Sequence, residues 1–540
     1  MSWDGFGEQQ FIGLANYQRL LQDQMFIKSI GNTIFIALLA MIPQMVFGLV
    51  LAFLLNQKKL RGSNFFKTVF YFPNLVTAVS LGVLFSLLFD WKAGSVNQVL
   101  MTLHIIKDPI NWKGSPLLSQ LIVALVLFWQ YFGYYTIIFT AGIRGIPYEL
   151  FEAAEVDGAS KVQTFFKIVL PLMRPIMTFA FVTSIIGGLQ IFDLPYTFGG
   201  ATGGTKASLL TMVMYMYNIA FTNLDYGYGA AISYGLFVII IVFSIIFMKY
   251  TTGKKEQYKM SMQSKKEGHG KLYRTLTYIF LIFLAIISIV PFYNMIIGCT
   301  HDNAALATSF QMIPGKHLLD NYHRLQDNVN IWRGLANSVV ISVIYTAIST
   351  YIGALTAYGF AKYKFKGNKV LFWIVLATMM LPGQLGIIGY FQEMNNLRLL
   401  DNYIAILMPS FATPVMVYWI RQYIDAYVPN ELLESARIDG CNEFKIFNKI
   451  IFPVIIPGVA TQAIFTFVGC WNSYVQPSIL LFSQEKFTLP ILVQQMQGVY
   501  KTDYGVVYLG VTLSVVPILL LFMFCSKKIL ESSMSGAVKG

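Results

Sequence analysis

The chain has 540 residues, 56% of them hydrophobic and only 12% charged, with a mean hydropathy of +0.59. A soluble globular chain carries roughly 25% charged residues, so a soluble fold is excluded and the excess apolar surface needs lipid. The net charge of +13 is spread through loops between apolar runs, so it points to a membrane surface and to no nucleic-acid partner.

Runs of about 20 apolar residues are the signature of a membrane-spanning helix. In chain order they predict eleven, at 30–56, 68–89, 117–143, 176–196, 227–248, 275–298, 334–360, 370–391, 403–420, 457–481 and 506–526. These runs are too long and too uniformly apolar for barrel strands. The expected fold is an all-α, polytopic transmembrane helical bundle. Of 39 basic residues, 27 fall on one set of loops, among them Arg61, Lys161, Lys167, Lys362, Arg437 and Lys449. That bias assigns those loops to the cytoplasm, with the N-terminus outside and the C-terminus inside.

Four well-separated cysteines (Cys299, Cys441, Cys470, Cys525) and five scattered histidines imply no disulfide framework, metal site or cofactor. Asp193, near the outer end of its helix, is the one ionisable residue in the expected spans. Ion-driven transport usually needs such groups near the midplane, so the energy source is expected elsewhere. An ion-coupled secondary transporter with parallel repeats is the rival reading. No G-x-x-x-x-G-K-[ST] occurs, and GGATGGTKAS at 199–208 reads as a flexible outer loop. Without a nucleophile–base cluster or an ATPase site, the chain is not expected to be an enzyme.

The two halves repeat. Asn16-Tyr17-Gln18-Arg19-Leu20 parallels Asn321-Tyr322-His323-Arg324-Leu325 at an offset of 305, and Asn32-Thr33 parallels Asn337-Ser338 at the same offset. Pro147 and Glu149 pair with Pro429 and Glu431 at an offset of 282. Shared order over such distances predicts two homologous domains, at 1–250 and 271–540, joined by a basic cytoplasmic linker at 251–270. The first has five spans against six in the second. A missing upstream helix is the expectation, a true five-span half the alternative.

Within each half lies a polar segment of one design. Glu152, Ala154, Asp157, Gly158, Phe165, Lys167, Pro171 and Pro175 recur in register as Glu434, Ala436, Asp439, Gly440, Phe447, Lys449, Pro453 and Pro457. A proline and an acidic residue open each segment, which suits the first turn of a helix and its dipole. The glycine after the aspartate suits its stop. A short helix, a sharp turn and a second helix on the cytoplasmic face are predicted, an element that a partner can grip.

The pattern E-A-A-x-x-D-G-A…P resembles the ATPase-coupling loop of ATP-binding-cassette importer permeases, and the likeness covers essentially the whole chain. The first half resembles the longer permease of the carbohydrate, maltose-type class through IFDLPYTFGG at 191–200 and LDYGYGAA at 224–231. The second resembles the shorter partner through GCWNSYVQPSILL at 469–481, FTLP at 487–490 and GAVKG at 536–540. The chain therefore looks like both permeases fused.

The resemblance implies import of a neutral sugar or oligosaccharide by alternating access across a bacterial-type cytoplasmic membrane, in contact with lipid. It also implies two copies of a separate ATPase subunit and an extracytoplasmic solute-binding protein. Arg19, Arg324 and the loops at 90–116, 197–226 and 482–505 would meet the latter. Glu152, Ala153, Ala154, Asp157 and Gly158, with Glu434, Ala436, Asp439 and Gly440, would dock the ATPases; Ser435 and Cys441 replace the usual alanines. Sugars are held by aromatic faces and by amide or hydroxyl groups. Candidate pathway residues are Gln130, Tyr131 and Tyr134 on one span, Ser184, Gly188, Gln190, Phe192 and Asp193 on the next, and Trp471 and Asn472 in the second half. Interhelical packing is the alternative role for each.

Overall fold

The computed structural model describes residues 1–4, 9–57, 60–252, 270–379, 381, 383–499 and 503–536. The expected linker at 251–270 lies almost wholly outside them, as does the GAVKG tail beyond 536. Among the described residues the regular structure is helical, save one isolated bridge between Ser2 and Gln10. Among the described residues nine helices are long and apolar enough to cross a membrane, or ten if one bent pair counts as a span.

Eight of the eleven expected spans are found as such helices; the other three differ in a physically readable way. The one expected at 68–89 is broken into Ser63–Leu75 and Ala78–Leu88, which meet at 93°. Pro73 lies in the last turn before the break, and Thr77 caps the new helix by accepting from the Ser80 amide at 2.9 Å. Its counterpart at 370–391 shortens to Asn368–Met379, followed by a separate helix at Ile387–Asn396. The run at 457–481 is shifted instead: the helix spans 443–471 and stops at Trp471, and Val475–Leu480 is a separate turn. Apolar composition marked these three stretches, but it carries no information about where a helix bends.

Packing divides the described chain into two compact units, 1–325 with 493–540, and 326–492. In the first, Gln24–Leu55 lies along Pro116–Arg144, where Gly48 lets the backbones close: a Cβ there would stand 2.9 Å from that of Tyr135. This unit also takes in two long helices of the second repeat. Gly270–Gly298 packs on the bent pair through Phe72 and Phe292, 4.7 Å apart. Tyr504–Gly536 joins it through Ser514, whose hydroxyl lies 2.8 Å from that of Ser80. In the second unit Ile331–Lys362 is the central helix, packed on Pro414–Tyr427 and Phe452–Trp471.

The repeated short motifs are explained by what they hold. In the first repeat Asn32 donates to the carbonyls of Ala207 and Leu210, and Thr33 caps Met212 by accepting from its amide at 3.0 Å. In the second, Asn337 donates to the carbonyls of Glu485 and Phe487, and Ser338 accepts from the Leu489 amide at 2.8 Å. Arg19 pairs with Asp225 at 2.8 Å, and Arg324 with Asp503 at 2.8 Å. Both aspartates open a repeated Asp-Tyr-Gly triplet at the start of a long helix (225–227 and 503–505). Each Asn-Tyr-x-Arg-Leu helix is therefore a brace on the last helix of its own repeat.

The GGATGGTKAS loop, expected to be flexible, is tied down. Thr205 donates to the carbonyl of Lys113 at 2.6 Å, Gln120 to that of Ser208 at 2.9 Å and Asn32 to that of Ala207 at 2.8 Å.

Candidate functional site: two matched hairpins and an aromatic wall

The two polar segments fold into the same object. In the first, helix Tyr148–Val156 ends at Gly158, whose φ of +71° is left-handed, and Lys161–Thr164 follows. In the second, Asn430–Ile438 ends at Gly440 with φ of +75°, and Glu443–Ile446 follows. The closing hydrogen bonds match as well. Ala159 donates to the carbonyl of Ala154 at 2.8 Å, and Cys441 to that of Ala436 at 3.0 Å, a glycine-centred helix stop.

A polar cap starts each second arm. Ser160 accepts from the Gln163 amide and Gln163 answers to the Ser160 amide; Asn442 accepts from the Lys445 amide at 2.8 Å. Each then widens for one turn into π geometry, at Phe165–Val169 and at Phe447–Ile451, before running into the next long helix. The repeated Phe-x-Lys-Ile was visible in the sequence; the widened turn beneath it was not.

The side chains of each hairpin divide into a buried and an exposed set. Ala154 and Ala436 are 2% and 4% exposed, so these alanines seat the hairpin on its own unit. The residues just before the aspartates point the other way: Val156 is 87% exposed and Ile438 85%. Sequence reasoning passed over this pair, although both are apolar and stand directly before Asp-Gly. Glu152, Asp157, Glu434 and Asp439 are exposed, and Gly440 has open space where a Cβ would be. Substitution at either glycine is opposed by its left-handed backbone, and at Gly440 crowding plays no part.

The second hairpin is pinned by charge. Arg437 and Glu443 form an ion pair at 2.7 Å, which holds the guanidinium further above its already high range. Positions 155 and 161 of the first hairpin carry the same pair with signs exchanged, Glu155 and Lys161. Lys161 donates to Gln57 Oε1 at 2.9 Å, just past the end of the Gln24–Leu55 helix.

The pathway candidates separate into open and packed residues. Along Pro116–Arg144 the more open stripe runs Leu117, Leu121, Leu125, Phe128, Tyr131, Tyr134, so its outer half is leucine and its middle aromatic. Tyr131 is 37% exposed and meets Tyr134 edge-on at 6.5 Å. Asp193, close enough to Tyr131 to act on it electrostatically, has Oδ1 buried without a hydrogen-bond partner among the described residues.

The other candidates are buried or half-buried. Ser184 is buried and accepts from Gln44 at 2.8 Å, and Gly188 faces Ala37, whose Cβ is 3.0 Å from where its own would be. Gln130 is buried and reaches the carbonyl of Val76 at 3.4 Å, and Phe192 stacks on Tyr196 at 4.9 Å. Gln190 is half-buried and ends the Arg174–Leu189 helix. In the second unit Trp471 is buried on Phe467 at 5.9 Å, and half-buried Asn472 ends that helix. Among the described residues no cluster of three or more potential metal ligands occurs.

Comparison with known proteins places this architecture. The family model described as "Binding-protein-dependent transport system inner membrane component" matches residues 25–254 and again 349–535. The chain is 32% identical over 262 residues to the arabinooligosaccharides transport system permease protein AraQ of Halalkalibacterium halodurans, an alignment covering 48% of this chain and 94% of that one. It is 33% identical over 239 residues to the lactose transport system permease protein LacF of Rhizobium radiobacter, covering 44% and 80%. Over 243 residues it is 31% identical to the trehalose/maltose transport system permease protein MalF of Thermococcus litoralis, covering 45% and 80%.

Among solved structures, a bacterial ABC transporter involved in alginate import aligns over 49% of this chain and 99% of its own, with 22% identity and a TM-score of 0.44. AraQ, LacF and MalF each account for about half of the chain, as the internal repeat requires. The chain belongs to the binding-protein-dependent transport inner-membrane-component family, whose domain it carries twice, fused in one chain, and these three curated relatives are sugar permeases.

Proposed function

We propose that this chain forms the whole membrane-spanning path of an ATP-driven importer of sugars or oligosaccharides, and that its hairpins at 147–175 and 429–457 seat two separate ATPase subunits on the cytoplasmic face. The observation that carries the reading is the matched pair of hairpins. Each has its alanine buried, its glycine left-handed, and one apolar residue, Val156 or Ile438, held out at the tip. An exposed apolar knob beside acidic groups on a rigid turn is what a docking element needs. Hydrolysis in the partners would bring both hairpins together and turn the path from one face to the other.

The solute is a neutral sugar, taken up along the aromatic wall of the first unit. Tyr131 and Tyr134 offer ring faces and hydroxyls, and Asp193 an unused acceptor. Gln130, Ser184, Gly188 and Phe192 support that wall from behind. An extracytoplasmic binding protein delivers the sugar to the outer loops; Arg19 and Arg324 shape that face through their ion pairs. The membrane is the bacterial-type cytoplasmic one, with the basic linker inside.

The test is uptake of labelled neutral di- and trisaccharides into membrane vesicles holding the chain with its co-purified partners. ATP-dependent, vanadate-sensitive uptake that survives an ionophore is expected. Uptake that ignores vanadate and collapses with the ionophore would overturn the reading in favour of an ion-coupled transporter.

A further inference from the structure

The charge exchange between the two hairpins leads to a residue whose role nothing above assigns. Glu443 opens the second arm of the second hairpin, and its two carboxylate oxygens face different elements. Oε1 accepts from Arg437 Nε at 2.7 Å, on the first arm, so the carboxylate bridges the hairpin across the Gly440 turn. Oε2 accepts from the Tyr358 hydroxyl at 3.1 Å and from the Tyr363 hydroxyl in a short hydrogen bond. Those tyrosines stand at the end of Ile331–Lys362, the central helix of the unit.

The same helix end grips the hairpin twice more. Lys362 Nζ donates to the Val428 carbonyl at 2.6 Å and to Asn430 Oδ1 at 3.0 Å, where the first arm begins. Tyr351 donates to Asn448 Oδ1 at 3.1 Å, beyond the second arm. Glu443 ties both arms and the helix together, and Arg437 beside it also lies over the Tyr363 ring at 5.9 Å. Hydrogen bonds to an ionised carboxylate are about twice as strong as neutral ones, and three on one group fix its position in all directions. The first repeat uses the same position for the same purpose with other chemistry, since Lys161 reaches Gln57 at the end of the equivalent helix.

We infer that Glu443 is a positioning residue that locks the second hairpin to the Ile331–Lys362 helix, so that a push on the hairpin moves that helix as one body. The inference rests on the docking role proposed for the hairpin. Without the lock the hairpin turns about Gly440, and a partner's stroke is spent in the turn before it reaches the membrane.

Spin labels on Lys445→Cys and Val343→Cys, with Cys299, Cys441, Cys470 and Cys525 changed to serine, report the distance from hairpin to helix. The full chain is reconstituted with its ATPase subunits and measured at rest and after trapping with Mg-ATP and vanadate. With the lock intact, the distance distribution stays the same in both states. In Tyr358→Phe/Tyr363→Phe, and in Glu443→Gln, it is expected to shift or broaden on trapping by about 5 Å, the scale of a one-turn slip. Arg437→Gln, which opens the bridge between the arms and leaves the hydrogen bonds from Tyr358 and Tyr363 to Glu443, should show a smaller change of the same kind.

Identical distributions in all variants would overturn the lock. Failure of the docking role itself would look different, because the unmodified chain would then trap no nucleotide with its partners. A purely structural role would lower the melting temperature of the variants and leave the trapped and resting distances equal, which also contradicts the inference.

Discussion

The hairpins at 147–175 and 429–457 share a backbone to within a few degrees at their glycines, yet they are fastened by opposite charges. The first has Glu155 and Lys161, with the lysine reaching a glutamine. The second has Arg437 and Glu443, with the glutamate collecting an arginine and two tyrosines. What stayed the same is the part that faces outward: the acidic residues, the left-handed glycine and the apolar tip. What changed is the part that faces each hairpin's own helices. On the proposed docking role, a surface that meets the same kind of partner twice keeps one shape, and the fastening behind it is free to differ as long as the hairpin stays put.

The largest expected effect breaks the shared part. Valine in place of Gly158 or Gly440 forces a β-branched residue into a left-handed conformation, at a cost of about 1–2 kcal/mol or more at the turn. Uptake should fall to background in either variant, with membrane insertion unchanged on a protease-protection assay. Normal uptake in one of them would mean that the two hairpins do not share a function.

A somewhat smaller loss should follow from placing a charge on the tips. Burying an aliphatic side chain at an interface is worth about 1.5–3 kcal/mol, so Val156→Asp or Ile438→Asp should each weaken ATPase association about ten- to a hundredfold. Both tips are almost fully exposed on the chain itself. The melting temperature of the isolated chain should therefore not move, and a drop would show that the tips pack internally.

The outer braces sharpen the comparison from the other end of each repeat. Arg324 contacts both carboxylate oxygens of Asp503 and also Asn321, whereas Arg19 makes a single ion-pair contact and lies over the Tyr228 ring. Partly exposed pairs contribute about 0.2–1 kcal/mol. Arg324→Ala should lower thermal stability measurably and Arg19→Ala by less, with ATPase association intact in both; an equal or reversed order would contradict the geometry.

The smallest effect is a pH response. Burial pushes the Asp23 carboxyl up, but hydrogen bonds from Tyr215, Tyr228 and two backbone amides outweigh it and hold it below the usual range. Burial opposes the same outcome at Asp401, where Lys486, Ser483 and the Phe482 amide prevail. A carboxylate with a folded pKa below its unfolded value of about 3.9 stabilises fully above that value, and the contribution is lost as pH falls through the folded pKa. These two clasps should contribute equally to the melting temperature from pH 8 to pH 5 and weaken only below about 4. An Asp401→Asn variant should lose part of the decline seen there.

How far the sequence could be read follows from the range of each interaction. Span positions, the repeat and the hairpins rest on contiguous composition and in-register residues, so they were legible. The bend after Leu75 was not, because Pro73 is tolerated in many membrane helices and tertiary packing decides which one bends. The ion pairs of Arg19 and Arg324 were not legible, since their partners, Asp225 and Asp503, lie 206 and 179 positions away. The repeated Asp-Tyr-Gly triplet was the available signal. Ser184 and Gly188 shared a plausible face with Asp193, but helix facing depends on neighbours that a single sequence does not display. Glu443 was hidden among surface charges until two tyrosines converged on it.

The most direct test of the central claim is the number of ATPase subunits bound to one chain, taken by native mass spectrometry after extraction in mild detergent. Two copies are predicted for the unmodified chain, one for either Val156→Asp or Ile438→Asp, and none for the double variant. Two copies retained by the double variant, or none bound by the unmodified chain, would contradict the account.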